Sequence, residues 1–213
     1  AAKTTHFAAI TDPEALGELL RAIEGYSGSP AVCAALKLAP MLVVRPKELR
    51  HMEWAELELD AKEGPRWAIP GEKMKSKQPH IVPLAPQAVQ ILNELQKVTG
   101  RSEYVFPGGR SPRRPLSDVA VLAGLRRLGY DSGEVTGHGF RATFRTLADE
   151  VLGEPIHLIE HQLAHAVRDP LGRAYNRTTH LPERRKMMNR WAAYLESLRN
   201  SEAKVVPLRA VKR

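Results

Sequence analysis

Cysteine is almost absent from this chain, which has a single one, Cys33, among 213 residues. A lone cysteine excludes an internal disulfide and a cysteine-built zinc site, and its small apolar neighbours favour a buried structural role. No apolar run reaches the length of a membrane span, since Lys37 and Pro40 interrupt the stretch 31–44, and the N-terminus lacks a secretory hydrophobic segment. We therefore expect a cytoplasmic protein without membrane association.

Acidic residues are too few to balance the basic ones. Lysine and arginine total 32 against 24 acidic residues, a formal net charge of +8, and the sequence pI is about 9.8. Such a charge attracts polyanions and favours nucleic acid over acidic small molecules as the partner. The 43% hydrophobic and 26% charged residues are otherwise typical of a globular protein.

Hydrophobic periodicity predicts a mostly helical chain with one small sheet. Asp12-Pro13 and Ser29-Pro30 resemble helix starts, each with a capping residue followed by proline at the first helical position. Alternation of period two predicts three short antiparallel strands at 55–60, 66–69 and 80–84. Helices are predicted at 13–23, 30–44, 46–51, from Pro86 through Leu95, and at 119–128, 140–152, 156–164 and 183–198. The prediction is one α+β domain over residues 1–199, followed by a basic tail at 200–213.

One motif suggests phosphate chemistry. His138 and Arg141 stand at i and i+3 ahead of a helical pattern, so both side chains could face one phosphate. Breaking a phosphodiester without a metal requires cations that hold the non-bridging oxygens, a nucleophile and a proton donor for the leaving oxygen. The planar guanidinium of arginine suits the first role because it grips phosphate oxygens with two bonds.

Other residues could complete this set. Arg45 follows an apolar helical run and needs an anion nearby; Glu48 either simply pairs with it or aims it at DNA, and local sequence does not decide between the two. Lys73, Lys75 and Lys77 share the polar turn before the third strand, where any of them could protonate a leaving oxygen. Tyr175 is the candidate nucleophile because basic and polar residues surround it, and nearby cations stabilise a phenolate.

These residues occur in an order that resembles the tyrosine recombinase (phage integrase) family, specifically the integrases of prophages, satellite phages and genomic islands. The resemblance spans nearly the whole chain. The matching segments are Arg45-Pro-Lys-Glu-Leu-Arg-His-Met-Glu-Trp54, Lys75-Ser-Lys-Gln-Pro-His-Ile-Val-Pro-Leu84, Thr136-Gly-His-Gly-Phe-Arg141, Gln162-Leu-Ala-His165 and Arg173-Ala-Tyr-Asn176. Gln162-Leu-Ala-His165 departs from the commoner Leu-Gly-His form but keeps the histidine.

The resemblance implies a fold and a set of site residues. The fold is the tyrosine recombinase catalytic fold, with residues 1–199 as the catalytic domain and with core-binding and arm-binding domains upstream of this chain. Lys75 is favoured over its two neighbours because it precedes Val82 by the family spacing. The implied residues are the first arginine Arg45 with its supporting acid Glu48, the turn lysine Lys75, the pair His138 and Arg141, the second histidine His165, and the nucleophile Tyr175.

The implied activity is site-specific DNA recombination through a 3′-phosphotyrosine intermediate, with no metal or cofactor. The implied partners are double-stranded DNA attachment sites, further protomers of a DNA-assembled tetramer, and accessory DNA-bending proteins of host or phage. A protein of this kind would act at the nucleoid in the bacterial cytoplasm.

Three alternative functions remain open from the sequence. A type IB topoisomerase uses the same chemistry but rejoins the same strand. A DNA-binding module that has lost catalysis would bind without cleaving. The segment His157-Leu-Ile-Glu160-His161 also fits the H-x-x-E-H pattern of a zinc peptidase, although no third ligand helix is evident.

Overall fold

The computed structural model describes residues 7–165 and 180–201. The helices in this part of the chain confirm the predicted ones, with ends that differ by about one turn or less. They are α1 Pro13–Glu24, α2 Pro30–Leu42, α3 Pro46–Arg50, α4 Pro86–Thr99, α5 Ala120–Arg127, α6 Gly139–Glu150, α7 Ile156–Gln162 and α8 Leu181–Asn200.

Helix starts follow the local sequence to different degrees. Asp12 caps α1, since its Oδ1 accepts the N–H of Ala15 at 2.9 Å, and proline opens the first turn. Ser29 precedes α2 in an extended conformation but makes no side-chain cap bond. Proline at the first position, whose fixed φ suits a helix, accounts for this start without the cap.

A three-stranded antiparallel sheet, also predicted, has the order β1 (Leu57–Glu58), β2 (Arg66–Ile69) and β3 (His80–Pro83). Trp67 in the central strand pairs with Leu57 on one side and Val82 on the other. The first strand is shorter than predicted because residues 54–56 form a 3₁₀ turn. The turn forms because the carboxylate of Glu56 folds back and accepts the N–H of Glu53 at 3.1 Å.

A second, two-stranded antiparallel sheet was not predicted. Its strands are β4 (Pro107–Gly108) and β5 (Ser111–Pro115). Prolines and adjacent arginines in this segment are typical of a loop and give no period-two pattern, so sequence alone does not reveal the hairpin.

The hydrophobic core lies around α2, which packs against α1, α4, α5, α6 and α8. Trp191 of α8 is 1% exposed and donates its indole N–H to the carbonyl of Pro40 at 2.8 Å. This bond satisfies one of the carbonyls left without a partner at the end of α2. Among the described residues, no helix has both the length and the hydrophobicity needed to cross a membrane.

Candidate active site

Arg45 is placed by the end of α2. Val43 ends this helix in the left-handed conformation, with φ of 51°, which is unfavourable for a β-branched residue. Two residues later Arg45 starts α3, and Glu48 accepts its backbone N–H at 2.9 Å and its Nη1 at 2.8 Å. Glu48 is buried, whereas the Arg45 side chain is 22% exposed. The sequence left open whether Glu48 only pairs with Arg45 or also orients it, and the structure allows both. The buried carboxylate of Glu48 holds one edge of the Arg45 guanidinium, while part of the Arg45 side chain remains exposed.

Arg141 lies almost fully buried in the first turn of α6, with 5% of its surface exposed. Its Nη1 donates to the carbonyl of Val43 at 2.8 Å and its Nη2 to the carbonyl of Leu163 at 2.7 Å. Burial lowers the pKa of Arg141 to about 10, with the positive charge of Arg45 acting in the same direction, so the group remains charged at neutral pH. Among the described residues no carboxylate contacts this guanidinium, which makes it a site for an anion from outside.

His138 immediately precedes α6 and is half-buried. Burial lowers its pKa, and the nearby positive charges of Arg141, Arg45 and His165 lower it further. These interactions place two arginines and two histidines close enough to act on one another's charge. A neutral imidazole beside two guanidinium groups can take up a proton when an anion enters.

The glycine between His138 and Phe140 permits a close contact with the N-terminal segment. A Cβ at Gly139 would lie 2.0 Å from the carbonyl oxygen of Ala8, so no larger residue fits without movement of the backbone. The ring of Phe7 lies 4.2 Å from the ring of His138, centroid to centroid. Residues 7–8 thus cover one side of the histidine.

His165 follows α7 and is held by two bonds. Its Nδ1 donates to Glu160 Oε2 at 2.6 Å, and its Nε2 accepts from Arg141 Nη2 at 3.1 Å. Because an arginine only donates and a carboxylate only accepts, these bonds select the tautomer protonated on Nδ1. Glu160 also accepts from Arg145 Nε at 2.7 Å, so the carboxylate that orients His165 is itself held in place.

Sequence reasoning missed this role of Glu160 and considered the residue only as part of a zinc peptidase motif. Its spacing of five from His165 gives no helical-face signal, because the histidine lies beyond the end of α7. In the described part of the chain, no group of three His, Cys, Asp or Glu side chains is arranged to hold a metal ion. Glu160 is occupied by His165 and Arg145, so the geometry does not favour the peptidase.

The turn between β2 and β3 separates the three candidate lysines. Lys75 and Lys77 are exposed, whereas Lys73 forms ion pairs with Glu53 and Glu56. Within residues 7–165 and 180–201, the side chain of Lys75 forms no hydrogen bond or ion pair with the arginines and histidines described above. Lys75 is thus available to an incoming ligand but is not yet part of the cluster.

Tyr175, the predicted nucleophile, lies outside the described residues. The positions of Arg45, His138, Arg141 and His165 can be compared with the prediction, and the structure brings these four together. The sheet joins the same region through His80 of β3, whose Nε2 lies 3.1 Å from the carbonyl oxygen of Gln162.

The sequence pattern of the Phage integrase family matches residues 10–180 of this chain. The chain belongs to the phage integrase family. The integrase of Enterobacteria phage P4 is 37% identical, over 93% of this chain and 47% of the relative. Prophage integrase IntZ of Escherichia coli strain K12 is 38% identical, over 81% of this chain and 41% of the relative. The chain spans about half the length of the curated relatives it matches.

Solved structures confirm the tyrosine recombinase catalytic fold. An integrase from mycobacterium phage Brujita superposes with a TM-score of 0.61 at 15% identity, covering 93% of this chain and 64% of that one. A lambda integrase tetramer bound to a Holliday junction gives a TM-score of 0.57 at 20% identity, covering 83% of this chain and 51% of that one.

Proposed function

We propose that residues 1–199 are the catalytic domain of a site-specific tyrosine recombinase, which integrates or excises a prophage or genomic island. The observation that carries the proposal is the buried guanidinium of Arg141, which is held by two carbonyls and contacts no described carboxylate. Arg45 and His165 lie beside it, so the site is built for an anion. Family membership and the net charge of +8 favour a DNA phosphodiester as that anion.

The proposed reaction exchanges one ester bond for another. The phenolic oxygen of Tyr175 attacks phosphorus, forming a 3′-phosphotyrosyl bond as the P–O5′ bond breaks. The phenol gives up its proton to His138, the proposed base, and Lys75 donates a proton to the departing 5′ oxygen. A 5′-hydroxyl from a partner duplex reverses the step. No net bond energy is lost, and the reaction requires neither ATP nor a metal.

The two arginines would stabilise the charge that builds up on the phosphate oxygens in the transition state. His165 would join them once its Nε2, which accepts from Arg141 in the described structure, carries a proton. Arg45 and Arg141 approach from separate elements, α3 and α6, and can bind different non-bridging oxygens. His165, oriented by Glu160, lies next to Arg141. Hydrogen-bond donors that are already in place before the substrate binds stabilise the transition state more than donors that must rearrange around the substrate.

The proposed partners are double-stranded attachment-site DNA and further copies of the protein. Lambda integrase, which shares the fold, has been solved as a dimer bound to a core site and as a tetramer bound to a Holliday junction. By analogy this protein would act as a DNA-assembled tetramer, helped by accessory DNA-bending proteins. Transfer of a strand between two duplexes, without relaxation of a supercoiled plasmid, would distinguish recombination from the topoisomerase alternative.

A trapping experiment tests the proposed function without knowledge of the target sequence. The protein is incubated with duplexes whose core is randomised and nicked, so that cleavage releases a short strand and leaves a covalent complex. The wild type should yield detergent-resistant protein–DNA adducts of an enriched sequence, and Tyr175→Phe should yield none. An adduct that persists in Tyr175→Phe would refute Tyr175 as the nucleophile.

Replacing Arg45 separates cleavage from binding. Arg45→Ala should lower the rate of adduct formation about 100-fold or more, because one preorganised cation is lost from the transition state. DNA affinity should fall only slightly, since phosphate binding is spread over many basic contacts. Adduct formation and gel-shift affinity on the enriched duplex measure the two effects, with exposed Arg113→Ala as the matched variant expected to cleave normally. Equal losses of cleavage and affinity in Arg45→Ala would contradict the assigned role.

A further inference from the structure

Lys73 differs from the other lysines of the β2–β3 turn in its surroundings. Its Nζ donates to Glu53 Oε1 at 2.5 Å and to Glu56 Oε1, whereas Lys75 and Lys77 are exposed. Burial alone would lower the pKa of Lys73, but the hydrogen bonds to the two carboxylates outweigh it and raise the pKa. Lys73 is thus a charged anchor whose ammonium is held by two carboxylates.

The carboxylates that hold Lys73 are part of a wider buried network. Glu56 is 7% exposed, and its second oxygen accepts the indole N–H of Trp67 at 2.9 Å as well as the N–H of Glu53. Trp67 is fully buried in the central strand. Lys73 also donates to the carbonyl of His51 at 3.2 Å. The ammonium therefore ties the turn to segment 51–56 and, through Glu56, to the sheet.

Lys75 lies two residues after this anchor. Met74, the residue between the two lysines, is 1% exposed. Its burial fixes the backbone directly before Lys75. The two ends of the turn lie close together, since a Cβ at Gly71 would lie 2.9 Å from the carbonyl oxygen of Lys77. Among the described residues, the Lys75 side chain has no hydrogen bond or ion pair of its own. The position of the Lys75 ammonium is therefore determined by the backbone of the turn.

We propose that Lys73 is a positioning residue, whose bonds to Glu53 and Glu56 hold the turn so that Lys75 reaches the departing 5′ oxygen. The proposal rests on the proposed function, in which Lys75 donates the proton. Without the ammonium, two neighbouring carboxylates repel each other and the turn loses its tie to segment 51–56. Proton donation would then weaken, while Tyr175 and the arginines would still act normally.

A pair of substrates isolates the proton donation. One is the duplex enriched by trapping, and the other is the same duplex with sulfur replacing the bridging 5′ oxygen at the cleaved phosphate. When the P–S bond breaks, the electron pair leaves on sulfur as a thiolate. A thiol, with a pKa of about 8.5, is far more acidic than an alcohol, so the thiolate can depart without receiving a proton from Lys75. A defect confined to proton donation should disappear with the sulfur substrate.

Single-turnover cleavage rates of three variants give the test. Lys75→Ala should lose about 100-fold or more on the oxygen substrate and recover on the sulfur substrate. Lys73→Met should lose about tenfold on the oxygen substrate and also recover on sulfur, because its defect acts through Lys75. Lys77→Met, which removes an exposed lysine from the same turn, is the matched control and should cleave both substrates normally.

Lys73→Met alone leaves the carboxylates of Glu53 and Glu56 without their cation and could destabilise the fold. A second variant therefore separates loss of positioning from loss of stability. Lys73→Met combined with Glu53→Gln and Glu56→Gln removes the charges together, and thermal unfolding verifies its stability. It should show the same recovery on sulfur. An equal loss on both substrates in this variant, or no loss on oxygen, would overturn the proposal. Failure of Lys75→Ala to recover on sulfur would instead refute the proton donor of the proposed function.

Discussion

The side chain that defines the site is Arg141, because it is buried and charged and its described hydrogen-bond partners are two carbonyls and a ring nitrogen of His165. A buried guanidinium normally has a carboxylate partner, since leaving a charge unpaired in the interior is costly. Here Val43 and Leu163 supply the two acceptors, and the remaining attraction is available to a phosphate. Glu48 and Glu160 hydrogen-bond to Arg45 and His165 and act on Arg141 only through their charge.

The electrostatic effect of this cluster can be measured at His138. Burial lowers the pKa of His138, and the charges of Arg141 and Arg45 lower it further. Arg45→Gln removes one positive charge, so the pKa of His138 should rise toward 6.5, its ordinary value. Titration of the imidazole signals by NMR measures the change. Arg113→Gln, an exposed substitution in β5, should leave the pKa unchanged, and an unchanged value in Arg45→Gln would contradict the arrangement.

The lowered pKa of His138 also makes the folded state less stable at acidic pH. Because folding lowers the pKa of His138, the unfolded chain binds the proton more tightly than the folded one. The folded state therefore loses stability as the pH falls below the ordinary value of 6.5, and the loss is complete below the pKa of the folded state.

Single residues were predictable where a motif carried them. The order of Arg45, Lys75, His138, Arg141 and His165 suggested the site, and the structure brings all of these except Lys75 into one cluster. The tie between Lys73 and Glu53 spans twenty positions, and no local pattern reports such a contact. The role of Glu160 was not predictable for the same reason, because its partner His165 lies beyond the end of α7, the helix that contains Glu160.

At the scale of elements, the end of α2 connects core and site. Val43 leaves the helix in a left-handed conformation, which turns the chain toward Arg45 and presents the carbonyl of Val43 to Arg141. In the last turn of the same helix, the carbonyl of Pro40 accepts the indole N–H of Trp191. Helix α8 thus helps to fix the segment that places the first arginine.

Loss of the indole donor should weaken this docking of α8. Trp191→Phe leaves the buried carbonyl of Pro40 without its donor, which should lower the free energy of unfolding by about 2 kcal/mol. Trp54→Phe is the matched control: its indole donates to the carbonyl of Thr99 at 3.2 Å, but Trp54 is partly exposed, so water can replace the bond and the loss should be about 0.5 kcal/mol. Urea unfolding measures both. Equal losses would contradict the docking role of Trp191.

The helices were predictable because their apolar stripes and proline starts are local signals. The sheet was predictable in number and order of strands but not in the length of β1, where Glu56 folds back on Glu53. The hairpin of β4 and β5 pairs backbone groups of a proline-rich and arginine-rich segment, so its strands show no hydrophobic alternation.

At the scale of the whole molecule, the chain spans about half the length of its curated relatives, so recombination by the entire protein stays a proposal. The net charge of +8 is consistent with the proposed DNA partner, whose phosphates many basic side chains would contact. The predicted division at 199 and 200 also stays a prediction, because residues 202–213 lie outside the described part.

Mass spectrometry of the trapped adduct tests the central claim most directly. After proteolysis, the peptide that carries DNA should contain Tyr175, with its phenolic oxygen joined to a 3′-phosphate, and the released strand should end in a 5′-hydroxyl. Attachment at another residue, or through a 5′-phosphate, would contradict the proposed chemistry.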